Sequence, residues 1–230
     1  MEFSTKTEKY LFSRDQFRLK HQDEFLRKNV ETNLLLVSTN ELIISLTFFT
    51  SGKNLREIDN GLYKGDLIVS FCRTHFIISD LLLGGELVDA ATLIRKQIEL
   101  LGRLNELSNG IDIEKLSNKT PNVKNLKTGM RKIYSTYSEI AHSASPSIMQ
   151  LIGSTEVEGR TYTTLYPEFQ ENSYAQFQHQ TLCALEFYNW CLVFYLDNFP
   201  DYEPEPDAIL FNIAFNQLKK IYPDSLLAVD

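Results

Sequence analysis

The segment 86–107 constrains the fold most. Its apolar residues Leu87, Ala90, Ala91, Ile94, Ile98, Leu101 and Leu104 fall on one face at 3.6 residues per turn, the period of an amphipathic helix. Asn109-Gly110 follows, a pair suited to a helix C-terminus. The same period recurs elsewhere. Ile68, Phe71, His75, Ile78 and Leu82 mark a helix over 62–83, which ends at Gly84-Gly85. Leu126, Met130, Ile133, Tyr137 and Ile140 mark one over 123–143, with Pro146 at its end or at a restart. Ile209, Leu210, Ile213, Ala214 and Leu218 mark one over 207–221. A charged helix is expected over 14–28, a buried one over 30–50, and a short helical turn within 111–121. Only 10 glycines and 7 prolines interrupt 230 residues, so long regular elements are favoured.

Two segments read differently. The helix over 173–198 is apolar almost all round from Phe187 to Leu196, with only Asn189 intervening. Such a helix is central to a bundle or lies in a subunit interface. In 153–170, Thr161, Tyr162, Thr163, Thr164 and Tyr166 are strand-like and Glu158-Gly159 suits a tight turn, so a small hairpin or an irregular loop is expected. The chain therefore reads as all-α: a single domain over 1–230, a helical bundle of about six to eight helices. It comprises a charged N-terminal helix within 1–29, a bundle core over 30–152, the loop or hairpin at 153–170, and C-terminal helices over 171–230.

Composition is that of an ordinary globular protein, 43% apolar and 23% charged. Residues 1–28 are polar and lack the apolar region of a signal peptide. The greasiest early stretch, 34–49, is interrupted by Ser38, Thr39, Asn40 and Glu41, is expected to be too short and too polar to span a bilayer, and reads as a buried helix. Cys183 and Cys191 stand eight apart on one helix, about 12 Å along its axis and too far for a disulfide. With Cys72 they read as packed thiols of a cytoplasmic protein.

The net charge of −7 disfavours wholesale nucleic-acid binding, but its distribution is uneven. Lys115, Lys119, Lys124, Lys127, Arg131 and Lys132 form a segment of six basic residues without an acid. The remainder holds 23 − 6 = 17 basic against 30 acidic residues, a charge of −13. Such segregation marks either a solvated lysine-rich loop or a surface for an anionic partner.

Candidate chemistry concentrates on two helices. Arg95 and Glu99 stand four apart, hence side by side, at the edge of an apolar face near the small residues Ala91 and Gly102. A partly desolvated arginine there either binds an anion, oriented by Glu99, or forms a structural ion pair. On the later helix, Arg131, Ser135, Ser138 and His142 stand at i, i+4, i+7 and i+11, one face opposite Ile133. His142, near the helix end, reads either as a general acid/base or phosphate contact or as a residue that bonds terminal carbonyls. His75 lies on an apolar stripe, the place of a hydrogen-bonded core histidine. His21 and His179 stand apart from other candidates. No histidine and carboxylate set has metal-site spacing, and G-x-S-x-G, P-loop and G-x-G-x-x-G patterns are absent, so neither metal nor cofactor is expected.

Two stretches together resemble a known family: Ala91-Thr92-Leu93-Ile94-Arg95-Lys96-Gln97-Ile98-Glu99, and Tyr134-Ser135-Thr136-Tyr137-Ser138-Glu139-Ile140-Ala141-His142 with Ser145-Pro146 behind it. They are similar to a group of uncharacterised bacterial helical proteins with an Arg-x3-Glu helix followed by a Tyr-x3-Ser-x3-His segment. That group is distantly similar to HEPN proteins, helical domains of bacterial toxin and antiviral systems, many of them metal-independent ribonucleases. The resemblance implies His142 and Arg95 as catalytic residues. The positions of Glu99, Arg131, Ser138, Tyr134, Lys124 and Lys127 add them as candidate binding residues for RNA or another anion, and a homodimer is expected through apolar helix surface that involves Phe187–Leu196 or its packing partners. The HEPN motif carries its arginine five to seven residues before the histidine, where this chain has Ser135, Thr136 and Tyr137. Arg131 is eleven residues from His142, about 16 Å along the axis. Only Arg95 from a neighbouring helix, or Arg131 across a dimer, would complete such a site. The leading expectation is a helical interaction protein with a candidate anion-binding cluster; the alternative is a HEPN-like ribonuclease.

Overall fold

A computed structural model describes residues 4–28, 30–142 and 149–223. Among them are seven helices of 14 residues or more: α1 (Lys6–Lys28), α2 (Val30–Phe49), α3 (Gly61–Leu83), α4 (Leu87–Ser108), α6 (Thr128–Ala141), α8 (Asn172–Asn198) and α9 (Glu205–Ile221). Two single turns, α5 (Ile113–Leu116) and α7 (Met149–Ile152), complete them. The all-α bundle stands as expected, and the restart expected at Pro146 lies outside the described residues. Strands β1 (Ser154–Val157) and β2 (Arg160–Thr163) pair antiparallel as a lone hairpin. Val157 faces Arg160, and Glu158 and Gly159 take φ of 53° and 73°, the two left-handed positions of a type I′ turn.

Helix α1 begins eight residues earlier than its apolar pattern suggests, because a capping box starts it. The Thr5 N–H donates to Glu8 Oε2 (3.3 Å) and the Glu8 N–H donates to Thr5 Oγ1 (3.1 Å). The later helix is likewise divided: a 3₁₀ turn, Val123–Asn125, precedes α6, and the Asn122 side chain caps it.

Helices α4 and α8 are the spine. Helix α4 packs on α3, α6 and α8, and α2 lies along α9. The whole expected face of α4 is buried, as are the stripes read for α3 and α6. Phe71 of α3 and Phe187 of α8 stack at 4.1 Å between ring centres. Of the two places open to α8, the bundle centre is the one it occupies: Phe187, Cys191 and Tyr195 are fully covered by the chain itself, and Val193 and Leu196 face out. The three cysteines are free and buried.

One polar network ties three helices together across the core. His75 Nε2 lies 2.9 Å from Asn40 Oδ1 on α2. Gln180 on α8 donates to the His75 carbonyl and to Ser79 Oγ, each at 2.8 Å. Burial alone pushes His75 down to about 3, so the ring is neutral and Nε2–H is the donor to Asn40.

Two expectations are corrected. The face of α9 is turned: Ile209 and Ile213 are exposed, while Asp207, Ala214 and Leu218 are buried. The Asp207 carboxylate accepts from Ser45 Oγ (2.5 Å) and Tyr202 Oη (2.8 Å), and these bonds fix the helix's rotation. Helix α2 is not too short for a span. Over its full 20 residues it is long and apolar enough to cross a membrane by length and composition. Here Leu35, Leu42, Ile43 and Leu46 are fully buried in the bundle, and Val30, Leu34, Val37 and Phe48 remain exposed on its outer side.

Candidate functional site

Helices α4 and α6 pack side by side, and this brings the two distinctive stretches together. Arg95 Nε donates to Glu99 Oε1 (3.1 Å), four residues along α4. Tyr134 Oη, from α6, donates to the same oxygen at 3.1 Å. The Arg95 guanidinium carbon lies 5.6 Å from the centre of the Tyr134 ring, within cation–π range. Arg95 Nη1 stands 3.2 Å from His142 Nε2. A guanidinium only donates, so Nε2 is the acceptor and the ring proton of this bonded form sits on Nδ1.

Each member is placed by its backbone. Arg95 and Glu99 sit just off the buried face that runs through Ile94 and Ile98, and their side chains keep 20% and 24% of their surface. They are half-desolvated, which strengthens their mutual attraction without isolating it from ligands. His142 is the residue that caps α6. Its backbone N–H bonds the Ser138 carbonyl at 3.1 Å, while its ring reaches back to Arg95. The Nε2 side of the ring thus faces Arg95. Ser138 lies one turn before His142 and is half-buried.

The guanidinium has five N–H groups. Nε serves Glu99 and one hydrogen of Nη1 serves His142. Among the described residues, the second Nη1 hydrogen and both on Nη2 meet no protein acceptor, a fork that matches a carboxylate or phosphate edge.

The basic residues lie elsewhere. Lys127 precedes α6 and pairs with Glu186 of α8 at 2.5 Å. It is fifteen residues from His142, about 22 Å along the helix direction. Lys124 is exposed in the 3₁₀ turn, and Arg131 is exposed three residues into α6. Lys124 and Lys127 thus lie toward the other end of α4 from the Arg95–His142 contact.

That opposite end holds a pair that the sequence reading passed over. Arg103 and Glu106 are both buried and lie 3.3 Å apart. Arg103 donates to the carbonyls of Leu116 and Lys119, and Glu106 accepts the Asn122 N–H at 2.8 Å. Gly102 beside them meets Pro121 and Val123 at 3.4–3.6 Å from where a Cβ would stand, so the close approach expected at this glycine is made by the 121–123 turn. The basic segment is held by the bundle from beneath. The signal available was an i, i+3 acid–base pair next to a glycine.

His179 and His21 also have partners. His179 Nδ1 accepts from Tyr137 Oη at 2.7 Å, and burial holds the imidazole at about 4. His21 Nδ1 lies 3.0 Å from the Leu83 carbonyl, and burial lowers its pKa. Among the described residues no three histidine, cysteine or acidic side chains gather as a metal-binding group. The chain matches no family model, no curated protein and no solved structure.

Proposed function

We propose that this is a cytoplasmic helical interaction protein whose Arg95–Glu99–Tyr134–His142 cluster binds an anionic group, with RNA as the leading ligand class. One observation carries the reading: Arg95 reaches His142 across helices at 3.2 Å while, among the described residues, three of its N–H hydrogens meet no protein acceptor. Glu99 and Tyr134 hold the guanidinium in place, so an incoming phosphate would meet a preorganised fork. Lys124, Arg131 and Lys132, exposed at and before the start of α6, add positive charge away from the cluster, which would raise the rate of encounter with a polyanion. Ser138 would supply a hydroxyl beside the histidine.

The Arg95–His142 pair also favours a second reading, a HEPN-like ribonuclease that needs no metal. In it, the phosphate takes Arg95 Nη1 away from His142, and the freed Nε2 takes the proton of a ribose 2′-hydroxyl as that oxygen attacks the adjacent phosphorus. The P–O5′ bond breaks, the departing 5′-oxygen takes a proton from water, a 2′,3′-cyclic phosphate is left, and Arg95 stabilises the charge gathered on the phosphate. The resemblance to bacterial helical proteins of the HEPN kind adds a role in defence or toxin systems, and association of two copies. The exposed outer row of α2, Val30, Leu34, Val37 and Phe48, is the apolar surface available for that association.

The test compares Arg95→Ala and His142→Ala with the parent for thermal stability, for affinity toward single-stranded RNA, and for its cleavage in chelator. RNA binding by the parent that weakens in Arg95→Ala supports the interaction reading. Cleavage that vanishes in both folded variants replaces it with the ribonuclease. Absence of both binding and cleavage in the parent, with lower stability in Arg95→Ala, leaves the cluster a structural network.

A further inference from the structure

A second polar feature lies away from the cluster. Helices α3, α4 and α8 enclose a cleft of about 380 Å³ between Lys64, Asn105 and Trp190. From Arg95 to Asn105 is ten residues of α4, about 15 Å, so this is a separate place. Its volume lies in the range of small-molecule sites.

Lys64 is the unusual member. It is only 7% exposed, yet it sits in the first turn of α3, where the helix dipole disfavours a cation. Among the described residues its ammonium has no hydrogen-bond or ion-pair partner; its one contact of note is the Phe194 ring, 5.5 Å away. Burial lowers its pKa, opposed only by Asp59. A lysine so placed calls for an anion, and the positive end of α3 calls for the same charge.

The walls select the rest of the ligand. Leu101, Leu126 and Phe194 are buried apolar surface, and the Trp190 indole is fixed by its bond to Ser108 Oγ at 2.9 Å. Two carboxylates stand at the rim: Glu186 is neutralised by Lys127, and Asp197 is exposed. Asp197 repels a polyanion in proportion to its charge, so a ligand with one negative charge, taken in to Lys64, meets the smallest penalty. We infer that this cleft binds a small organic monocarboxylate with an aromatic or apolar body, its carboxylate on Lys64 and its body against Leu101 and Trp190.

Trp190 is the single tryptophan, so its fluorescence reports occupancy directly. Phenylacetate, phenylacetamide, phenethylamine and inorganic phosphate would be titrated into the full chain, and phenylacetate also into Lys64→Met. The expected result is a saturable change with phenylacetate, weakened at least about tenfold for the uncharged amide and in the folded variant. Phosphate and the amine are expected to give none. Lys64→Met should melt no lower than the parent, because the ammonium it removes opens on the cleft and, among the described residues, has no ion-pair or hydrogen-bond partner to lose; the amide comparison on the parent stands independently of it. No saturable response to millimolar phenylacetate, an equal response to the amide, or a stronger one to the amine or phosphate would overturn the assignment.

Discussion

Acid should unfold this protein through His75, and the amount can be worked out. The ring is 1% exposed, donates to Asn40 and sits beside the Gln180 amide, which donates toward its Nδ1 from 3.4 Å. A second proton on Nδ1 would face a donor rather than an acceptor, inside a core that offers no opposite charge. The pKa is lowered from 6.5 in the open chain to about 3 in the fold. The unfolded chain therefore binds more protons between these values, and stability rises with pH across that window. It is fully present above pH 6.5 and is lost as pH falls toward 3. At about 1.36 kcal/mol per pH unit, lowering the pH to about 4.5 removes about 2.7 kcal/mol through this residue. That is a large part of a typical total of about 5–15 kcal/mol. Urea unfolding of the parent and of His75→Asn at pH 7.5 and 4.5 isolates it, since His21, His179 and the carboxylates are common to both. The variant is expected to be less stable at pH 7.5 but to lose about 2–3 kcal/mol less on acidification. Equal losses in both proteins would refute the reasoning.

Three further outcomes are expected. Arg103→Met leaves Glu106 buried without its partner and frees the carbonyls of Leu116 and Lys119, so it should cost about 3–5 kcal/mol in urea and open the 111–127 segment to proteolysis before global unfolding. Phe71→Ala removes a fully buried ring stacked on Phe187 and should cost about 3–5 kcal/mol, read as a lower denaturation midpoint at unchanged slope. Tyr134→Phe removes one of the two bonds that hold Glu99 Oε1 and should cost about 0.5–1.5 kcal/mol in a thermal melt, while weakening RNA affinity less than Arg95→Ala does.

Local pattern determined most of the architecture. The helix period, the glycine stops and the strand-like run around Glu158-Gly159 are properties of neighbouring residues, so the bundle, the buried stripes of α3, α4 and α6, and the hairpin were legible in the sequence. The partnership of Arg95 with Glu99 was also legible, being one helical turn. What tertiary structure decided is everything that joins residues far apart in the chain. His142 finds Arg95 across 47 positions, and only the packing of α6 on α4 sets that distance. The length of α6 itself keeps Lys124 and Lys127 away from the histidine at its other end. Asp207 turned α9 away from its most apolar face because two hydroxyls, on Ser45 and Tyr202, were there to satisfy a buried carboxylate. Lys64 looks like any solvated lysine in its own helix. Its burial arises where α3, α4 and α8 meet, because the exposure of a side chain belongs to its surroundings and not to its neighbours in sequence.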